Sequence, residues 1–198
     1  YKNAVRALAA ALEAKDRYTE GHSLRVAHWA RACARELGLT ERQLEYVYLA
    51  GLLHDVGKIG IKERILLKPG KLTPKERQQM QRHPVVGANI LEPGNFPPEV
   101  VAAVRYHHED FDGGGYPEGI KGEQIPLLAR IIRVADAYDA MTSDRPYRRG
   151  YPHSWVVREL KRGAGIQFDP QVVRAFLTVI ARERRKRQRI SRESDSDA

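Results

Sequence analysis

Histidine and carboxylate side chains recur along this sequence in a pattern that suits metal binding. Five of its seven histidines stand near other potential ligands, and the full set is His22, His54 with the adjacent Asp55, His83, the adjacent His107 and His108, and Asp136 with Asp139. Asp136 and Asp139 would share one face of a helix because they are three residues apart. Imidazole with carboxylate suits Zn, Fe, Mn, Ni or Co, whereas Mg or Ca alone prefers mostly oxygen. His28 and His153 lack such neighbours, and we interpret them as ordinary helix residues.

Asp55 has a capability that histidine lacks, since its two oxygens can bind two cations at once, which dinuclear sites hold about 3.5 to 4 Å apart. The dipeptide His54-Asp55 alone is a weak motif that also fits an ordinary helix end. The following residues strengthen it, because Gly57 can end a helix and permit close backbone approach while Lys58 offers a cation.

The composition is typical of one soluble globular domain. The 198 residues are 42% apolar and 30% charged. The longest apolar stretch, from Tyr46 to Leu53, is far shorter than the roughly 18 to 20 residues that cross a bilayer. Cys33 is the only cysteine, so no internal disulfide can form and a reducing, cytoplasmic location is expected. The sequence begins at Tyr1 inside a helical pattern, from which we expect a further region upstream.

The net charge of +9 is distributed unevenly. Seven of the 34 basic side chains lie between positions 182 and 192. We therefore expect a domain over residues 1–180 and, over 181–198, a basic helix end with a disordered tail. No recognition motif accompanies the basic run, so specific binding of nucleic acid is not expected.

Apolar residues recur at spacings of three and four, which predicts helices throughout. Start signals stand at Thr40, at Thr73 and at Asp169, and further helices are expected after Pro97, over 127–142 and after 153. Pro84 should end or kink the helix that precedes it. The fold class is therefore all-α, as a bundle or an orthogonal array.

The segment from 110 to 126 differs from the rest because it holds five glycines and two prolines. We expect a long loop there, and loops of this length tend to be functional. Tyr116 could stack on a planar ligand or, equally, anchor the loop in the core.

Five ordered motifs resemble the HD-GYP family of the HD phosphohydrolase superfamily, whose members hydrolyse cyclic di-GMP. They are YTEGHSLRV at 18–26, HDVGK at 54–58, KPGKLTPKERQQMQRHPVVGANIL at 68–91, HHEDFDGGGYP at 107–117 and RIIRVADAYDAMTSDRPYR at 130–148. The similarity covers about residues 14–178. It implies an HD-domain bundle of about seven to eight helices with a Gly-rich GYP loop.

The resemblance also implies a ligand set for two divalent transition-metal ions. The first would be held by His22, His54, Asp55 and Asp136, and the second by Asp55, His83, His107 and His108. Members with three metals usually have Glu four residues before the first histidine, where this chain has Tyr18. Two metals are therefore expected, with Fe or Mn first and Zn, Ni or Co as alternatives. Whether His22 reaches the metals stays open, because with this opening the first helix could lie further away.

The implied reaction is hydrolysis of cyclic di-GMP to linear pGpG, by a hydroxide that two cations generate from a shared water, and further hydrolysis to GMP is left open. Asp55 and Lys58 are the expected catalytic residues, and Lys58 would also hold a phosphate oxygen. Arg145 would hold the second phosphate, and the loop residues Gly115, Tyr116 and Pro117 would line the substrate pocket. Surface charges are the plainer interpretation of Lys58 and Arg145.

Two further acidic residues are expected behind the ligands. Asp139 could accept a hydrogen from a ligating histidine and fix its tautomer. Glu109 should orient the histidine pair or support Lys58. Asp110 stands where relatives often have a basic or polar residue, which could weaken attraction for an anionic partner.

Other functions remain compatible with these motifs. The domain could sense cyclic di-GMP without cleaving it, dock diguanylate cyclase (GGDEF) domains, or hydrolyse another cyclic dinucleotide. An upstream sensory or receiver domain, membrane anchoring of the larger protein and a homodimer are further expectations. A basic nucleic-acid-binding helical domain would rest on the C-terminal run alone.

Overall fold

The computed structural model describes residues 2–15, 21–144 and 149–196. Within these ranges the α-helices are α1 (Lys2–Lys15), α2 (His22–Glu36), α3 (Glu41–Leu53), α4 (Glu63–Leu66), α5 (Pro74–Met80), α6 (His83–Leu91), α7 (Pro98–Tyr106), α8 (Leu127–Thr142), α9 (His153–Gly163) and α10 (Pro170–Ser196). Short 3₁₀ turns span Val56–Gly60, Glu92–Gly94 and Gly122–Gln124. The predicted all-α class is confirmed for the described residues, which form ten α-helices where about seven to eight were expected; eight of the ten have nine or more residues.

Most predicted helix starts are confirmed in their local chemistry. Thr40 and Gln43 form a reciprocal capping box at α3, and Thr73 and Glu76 form another at α5. The carboxylate of Asp169 accepts from the amide of Gln171 at 2.7 Å and so caps α10. These pairs satisfy amides that the first turn of a helix cannot pair internally.

The helix break predicted near Pro84 is present, but Pro84 belongs to the helix that follows the break. α5 ends at Met80, and Pro84 lies in the first turn of α6, which begins at His83. Proline is tolerated there because its missing amide would have no partner in a first turn. As a result, His83 starts a helix rather than ending one.

The main core lies where α2, α3, α8 and α10 meet. Its fully buried members include Val26, Leu44, Ile131, Val172 and Phe176. A second apolar cluster joins α1 to α3 and α7 through Val5, Tyr48, Leu52, Val56 and Val104, among others. The two cores fix the helices whose ends carry the predicted ligands.

The long loop predicted over 110–126 is present, with the 3₁₀ turn Gly122–Gln124 inside it. Backbone amides of Phe111 and Asp112 donate to the carbonyls of Gln167 and Ile166 at 3.3 and 2.9 Å. Gly113 has φ near 91°, a left-handed conformation that favours glycine. The loop is thus held against the turn between α9 and α10.

α10 extends through the basic C-terminal run as far as Ser196. The sequence had predicted a helix end followed by a disordered tail over this run. Arg, Lys, Gln and Glu are good helix formers, and the Lys186–Glu183 pair at 3.0 Å adds support along the helix surface. Treatment of residues 181–198 as a separate unit stays a prediction. None of the described helices has the length and apolar character that a bilayer-spanning helix requires.

Candidate metal centre

The predicted ligands come from helix ends that converge beside α8. They form two groups whose ligand atoms lie within 4.8 Å of one another inside each group. We call His22, His54 and Asp136 the first cluster, and His83, His107 and His108 the second cluster. The structure therefore brings together residues that are up to 114 positions apart in the chain, since His22 and Asp136 both belong to the first cluster.

Backbone hydrogen bonds orient three of these histidines in the same way. Nδ1 of His54 lies 2.8 Å from the carbonyl of Gly51, that of His83 lies 2.8 Å from the carbonyl of Met80, and that of His107 lies 2.7 Å from the carbonyl of Val104. A carbonyl only accepts, so each Nδ1 carries the proton, and each neutral ring presents the lone pair of Nε2. Each carbonyl lies three residues before its histidine, so the helix end itself sets the tautomer.

The free lone pairs fit a bound cation. Nε2 of His54 is buried and has no hydrogen-bond partner among the described residues. Nε2 of His83 lies 3.3 Å from Nε2 of His107, so two acceptors face each other in the neutral rings. One metal ion in each cluster would satisfy these atoms, and the nitrogen and oxygen donor set suits Fe, Mn, Zn, Ni or Co.

Asp55 lies between the two clusters. Its Oδ2 is 3.5 Å from Nε2 of His54, and its Oδ1 is 3.3 Å from Nε2 of His83. Burial alone would raise the pKa of this carboxyl, but the charge of Lys58 beside it holds the pKa well below its usual range. The carboxylate thus stays ionised, with one oxygen towards each cluster.

Gly57 explains how Asp55 comes so close to His83. A Cβ atom at Gly57 would lie 1.8 Å from the carbonyl oxygen of His83 and 2.5 Å from the amide of Gly87. Any side chain would therefore separate the turn Val56–Gly60 from α6. The predicted role of this glycine in close backbone approach is confirmed.

His22 lies in the first cluster, held between two carboxylates. Its Nδ1 contacts Oδ2 of Asp139 at 2.7 Å, and its Nε2 lies 3.3 Å from Oδ1 of Asp136. Burial alone would lower the pKa of His22, but the hydrogen bonds with Asp136 and Asp139 raise it to about 10. The predicted hydrogen bond that a site histidine donates to Asp139 is present, whereas the role of Asp139 towards a metal stays a prediction.

The second cluster consists of neutral imidazoles. Burial lowers the pKa of His83 and brings that of His107 well below its usual range. Burial and the nearby His83 lower the pKa of His108 to about 3. These rings can therefore act as ligands without first losing a proton.

A cavity of about 300 Å³ opens onto both clusters. Its wall includes Lys58, whose Nζ lies 2.7 Å from Oδ2 of Asp55, and Tyr116, whose ring stacks on His108 with centroids 4.8 Å apart. Lys58 and Tyr116 are thus near the predicted metals. Arg145, the predicted contact for the second phosphate, lies outside the described residues. The same is true of Tyr18, from which two metals rather than three were predicted.

Three predicted residues of the GYP segment hold the loop itself. A Cβ atom at Gly115 would lie 2.2 Å from the amide of Asp110, so the close approach is to the chain's own backbone. Oε1 of Glu109 accepts from the amides of Glu118 and Gly119 at 2.7 and 3.0 Å, instead of contacting the histidine pair or Lys58. Pro117, half-buried, follows a cis peptide bond from Tyr116.

Two arginines beside the ligands were not predicted from sequence. Arg25 pairs with Asp139 at 2.6 Å and lines the cavity. Its position three residues after His22, on the same helix face, is a sequence signal that could have indicated its place beside the ligands.

Arg133 pairs with Asp110 at 2.6 Å and places Nη1 3.3 Å from Nδ1 of His108. Asp110 is therefore neutralised within the fold, which removes the basis for its predicted effect on anionic partners.

Comparison with known proteins shows the family. The family model for the HD domain matches residues 6–172. A cyclic di-GMP phosphodiesterase of Pseudomonas aeruginosa is 45% identical over 170 residues, covering 85% of this chain and 41% of that protein. A cyclic di-GMP phosphodiesterase of Thermotoga maritima is 42% identical over 167 residues, covering 83% of this chain and 45% of that protein.

A solved structure of the cyclic GMP-AMP specific phosphodiesterase V-cGAP3 of V. cholerae has the same fold, with a TM-score of 0.73 and 21% identity. The match covers 91% of this chain and 48% of that one. This chain thus spans less than half the length of each of these three proteins. The resemblance predicted from five motifs is confirmed at the level of the family model, and the chain belongs to the HD domain family.

Proposed function

We propose that this domain is a metal-dependent phosphodiesterase that hydrolyses cyclic di-GMP to linear pGpG and onward to GMP. The observation that carries the proposal is the position of Asp55, with one oxygen towards each of two histidine clusters. Such a carboxylate can bridge two cations, as dinuclear phosphoesterases require. The names of the two curated relatives support cyclic di-GMP as the substrate.

The chain supplies two ligand groups that share Asp55. His22, His54 and Asp136 would hold one ion, and His83, His107 and His108 the other. Fe and Mn are the first expectation for this donor set, and Zn, Ni and Co also fit it. Two bound cations would supply an acidified water nucleophile and positive charge opposite the phosphoryl oxygens.

The cavity wall supplies the remaining contacts with substrate. Lys58 and Arg25 place positive charge on the wall beside Asp55 and Asp139, where an anionic phosphodiester would enter. Lys58 would donate to a nonbridging oxygen, and Arg145 would hold the second phosphate as a bidentate donor. Tyr116, packed on His108, would offer an aromatic surface to a guanine.

The proposed setting follows the same family comparison. We place the domain in the cytoplasm, where it would act as part of a longer protein with an upstream sensory or receiver domain, including a membrane-anchored one. GGDEF domains and a second copy of the chain are the proposed protein partners. The basic run of α10 is not assigned to nucleic acid.

The test is product analysis on purified domain loaded separately with Mn and, without oxygen, with Fe(II). We expect pGpG and then GMP from cyclic di-GMP, slower turnover of cyclic GMP-AMP, and metal content of about two ions per chain. Faster turnover of cyclic GMP-AMP than of cyclic di-GMP would show that cyclic GMP-AMP is the preferred substrate. Tight binding of cyclic di-GMP by fully loaded protein, with no product, would make the domain a sensor.

A further inference from the structure

The start of α2 lacks a cap of its own. Gly21 occupies the N-cap position in a left-handed conformation with φ of 68°, and it has no side chain that could accept a hydrogen bond. The first turn of α2 contains no acidic residue. Because the first amides of a helix have no partner within it, they need an acceptor from elsewhere in the chain.

Glu13 of α1 provides that acceptor. Its Oε2 accepts from the amide of Gly21 at 2.7 Å, and its Oε1 accepts from the amide of Ser23 at 2.7 Å. Both carboxylate oxygens are therefore used on the two residues that flank His22. Hydrogen bonds to an ionised carboxylate are stronger than neutral ones, and a negative charge at a helix N-terminus adds to them.

His22 is consequently held from two sides by different helices. Glu13 of α1 fixes the backbone on either side of it, while Asp139 of α8 fixes its ring through the 2.7 Å contact with Nδ1. In this position Nε2 of His22 faces Oδ1 of Asp136. A shift of the backbone at the start of α2 would move this nitrogen away from the first cluster.

We propose that Glu13 is a positioning residue for His22, so that metal binding at the first cluster depends on the docking of α1. The inference rests on the proposed function, since it assumes that the first cluster binds a metal. The apolar contacts of α1 are made by Val5, which packs with Tyr48 and Leu52 in the apolar core between α1, α3 and α7. Glu13 thus links the position of α1 to the first cluster, since both of its hydrogen bonds are with residues next to His22.

The experiment measures Mn²⁺ affinity calorimetrically in two backgrounds that each retain one site. His83→Asn retains the first cluster, and His22→Asn retains the second. Glu13→Ala should weaken Mn²⁺ binding about 10- to 100-fold in the His83→Asn background, the range found for residues that orient ligands. In the His22→Asn background it should change the affinity less than twofold.

A conservative variant and a matched control separate positioning from general stability. Glu13→Gln should recover part of the affinity, because its amide oxygen accepts one hydrogen bond whereas its NH₂ group only donates. Glu41→Ala removes an acidic residue from the first turn of α3, away from the metal centre, and should leave both sites unchanged.

Three outcomes would overturn the inference. Unchanged Mn²⁺ affinity of Glu13→Ala in the His83→Asn background would do so while leaving the proposed function intact. Equal weakening in both backgrounds, with a lower melting temperature, would reduce Glu13 to a general stabilising role. A wild-type protein that binds no metal would overturn the proposed function and this inference together.

Discussion

The two ligand clusters differ in how they are built and in their charge before a metal arrives. The second cluster has three neutral imidazoles, placed by the start of α6 and the residues that follow α7. The first joins residues of α2 and α8 to the end of α3 and holds His22 as a cation between Asp136 and Asp139. The second cluster is thus prepared for a metal, whereas the first must exchange a proton for one.

Asp55 is the residue that the two clusters share, so its removal should have the largest effect. Asp55→Ala should abolish binding of both ions and reduce hydrolysis to background, since each cluster loses an oxygen ligand and the two ions lose the negative charge between them. Metal content and product formation are measured on the same sample.

Glu99→Gln is the control for this change, because Glu99 is exposed in the first turn of α7. It should keep two ions and full activity. Retention of both ions by Asp55→Ala would contradict the shared-ligand role.

Loss of one histidine from either cluster should remove one ion and leave the other. We expect His22→Asn to retain the second ion and His83→Asn to retain the first, each with greatly reduced hydrolysis. His28→Asn is the matched control, since His28 lies six residues after His22 on α2 and its exposed ring packs against Tyr48 with centroids 5.5 Å apart. Loss of both ions from His22→Asn would mean that the clusters do not bind independently.

Asp139 acts only on the first cluster, so its variant should have a smaller and asymmetric effect. Asp139→Asn keeps an acceptor for His22 but removes the charge, and should weaken the first ion about 10- to 100-fold. Asp169→Asn is a suitable comparison, because Asp169 is equally buried and pairs with Arg130 at 2.5 Å. It should lower the melting temperature without changing either metal affinity.

Proton release should distinguish the clusters most directly at neutral pH. The raised pKa of His22, about 10, keeps it protonated in metal-free protein from pH 6 to 9, so binding at the first cluster releases one proton. Affinity there should rise about tenfold per pH unit. At the second cluster, where the pKa of His108 is lowered to about 3, no proton is released over this range and affinity should stay constant.

Calorimetry in buffers of different ionisation enthalpy measures this proton directly. His83→Asn and His22→Asn report the first and second clusters separately. Equal proton release from both variants would show that the charge difference between the clusters is wrong.

Much of this arrangement could be predicted from sequence because its signals are local. The capping boxes at Thr40 and Thr73 each define a helix start within four residues of sequence. Several ligand motifs likewise contain residues that mark where a helix begins or ends. Pro84 was harder, because the same residue fits the first turn of one helix and the break after another. The ambiguity was settled by α6 packing against Gly57.

Long-range partners could not be predicted in the same way. Glu109 bonds to amides nine and ten residues away, and Arg133 reaches Asp110 and His108 across the fold from α8. Which of several nearby groups a carboxylate or guanidinium selects depends on how whole elements pack, and no spacing in the sequence specifies it.

The most direct test of two clusters joined by one carboxylate is electron paramagnetic resonance during titration with Mn²⁺. Ions bridged by Asp55 would lie about 3.5 to 4 Å apart and couple magnetically. We predict an isolated Mn²⁺ spectrum at one equivalent, from the second cluster, and a coupled spectrum at two. Two uncoupled ions, or saturation at one ion per chain, would contradict the account.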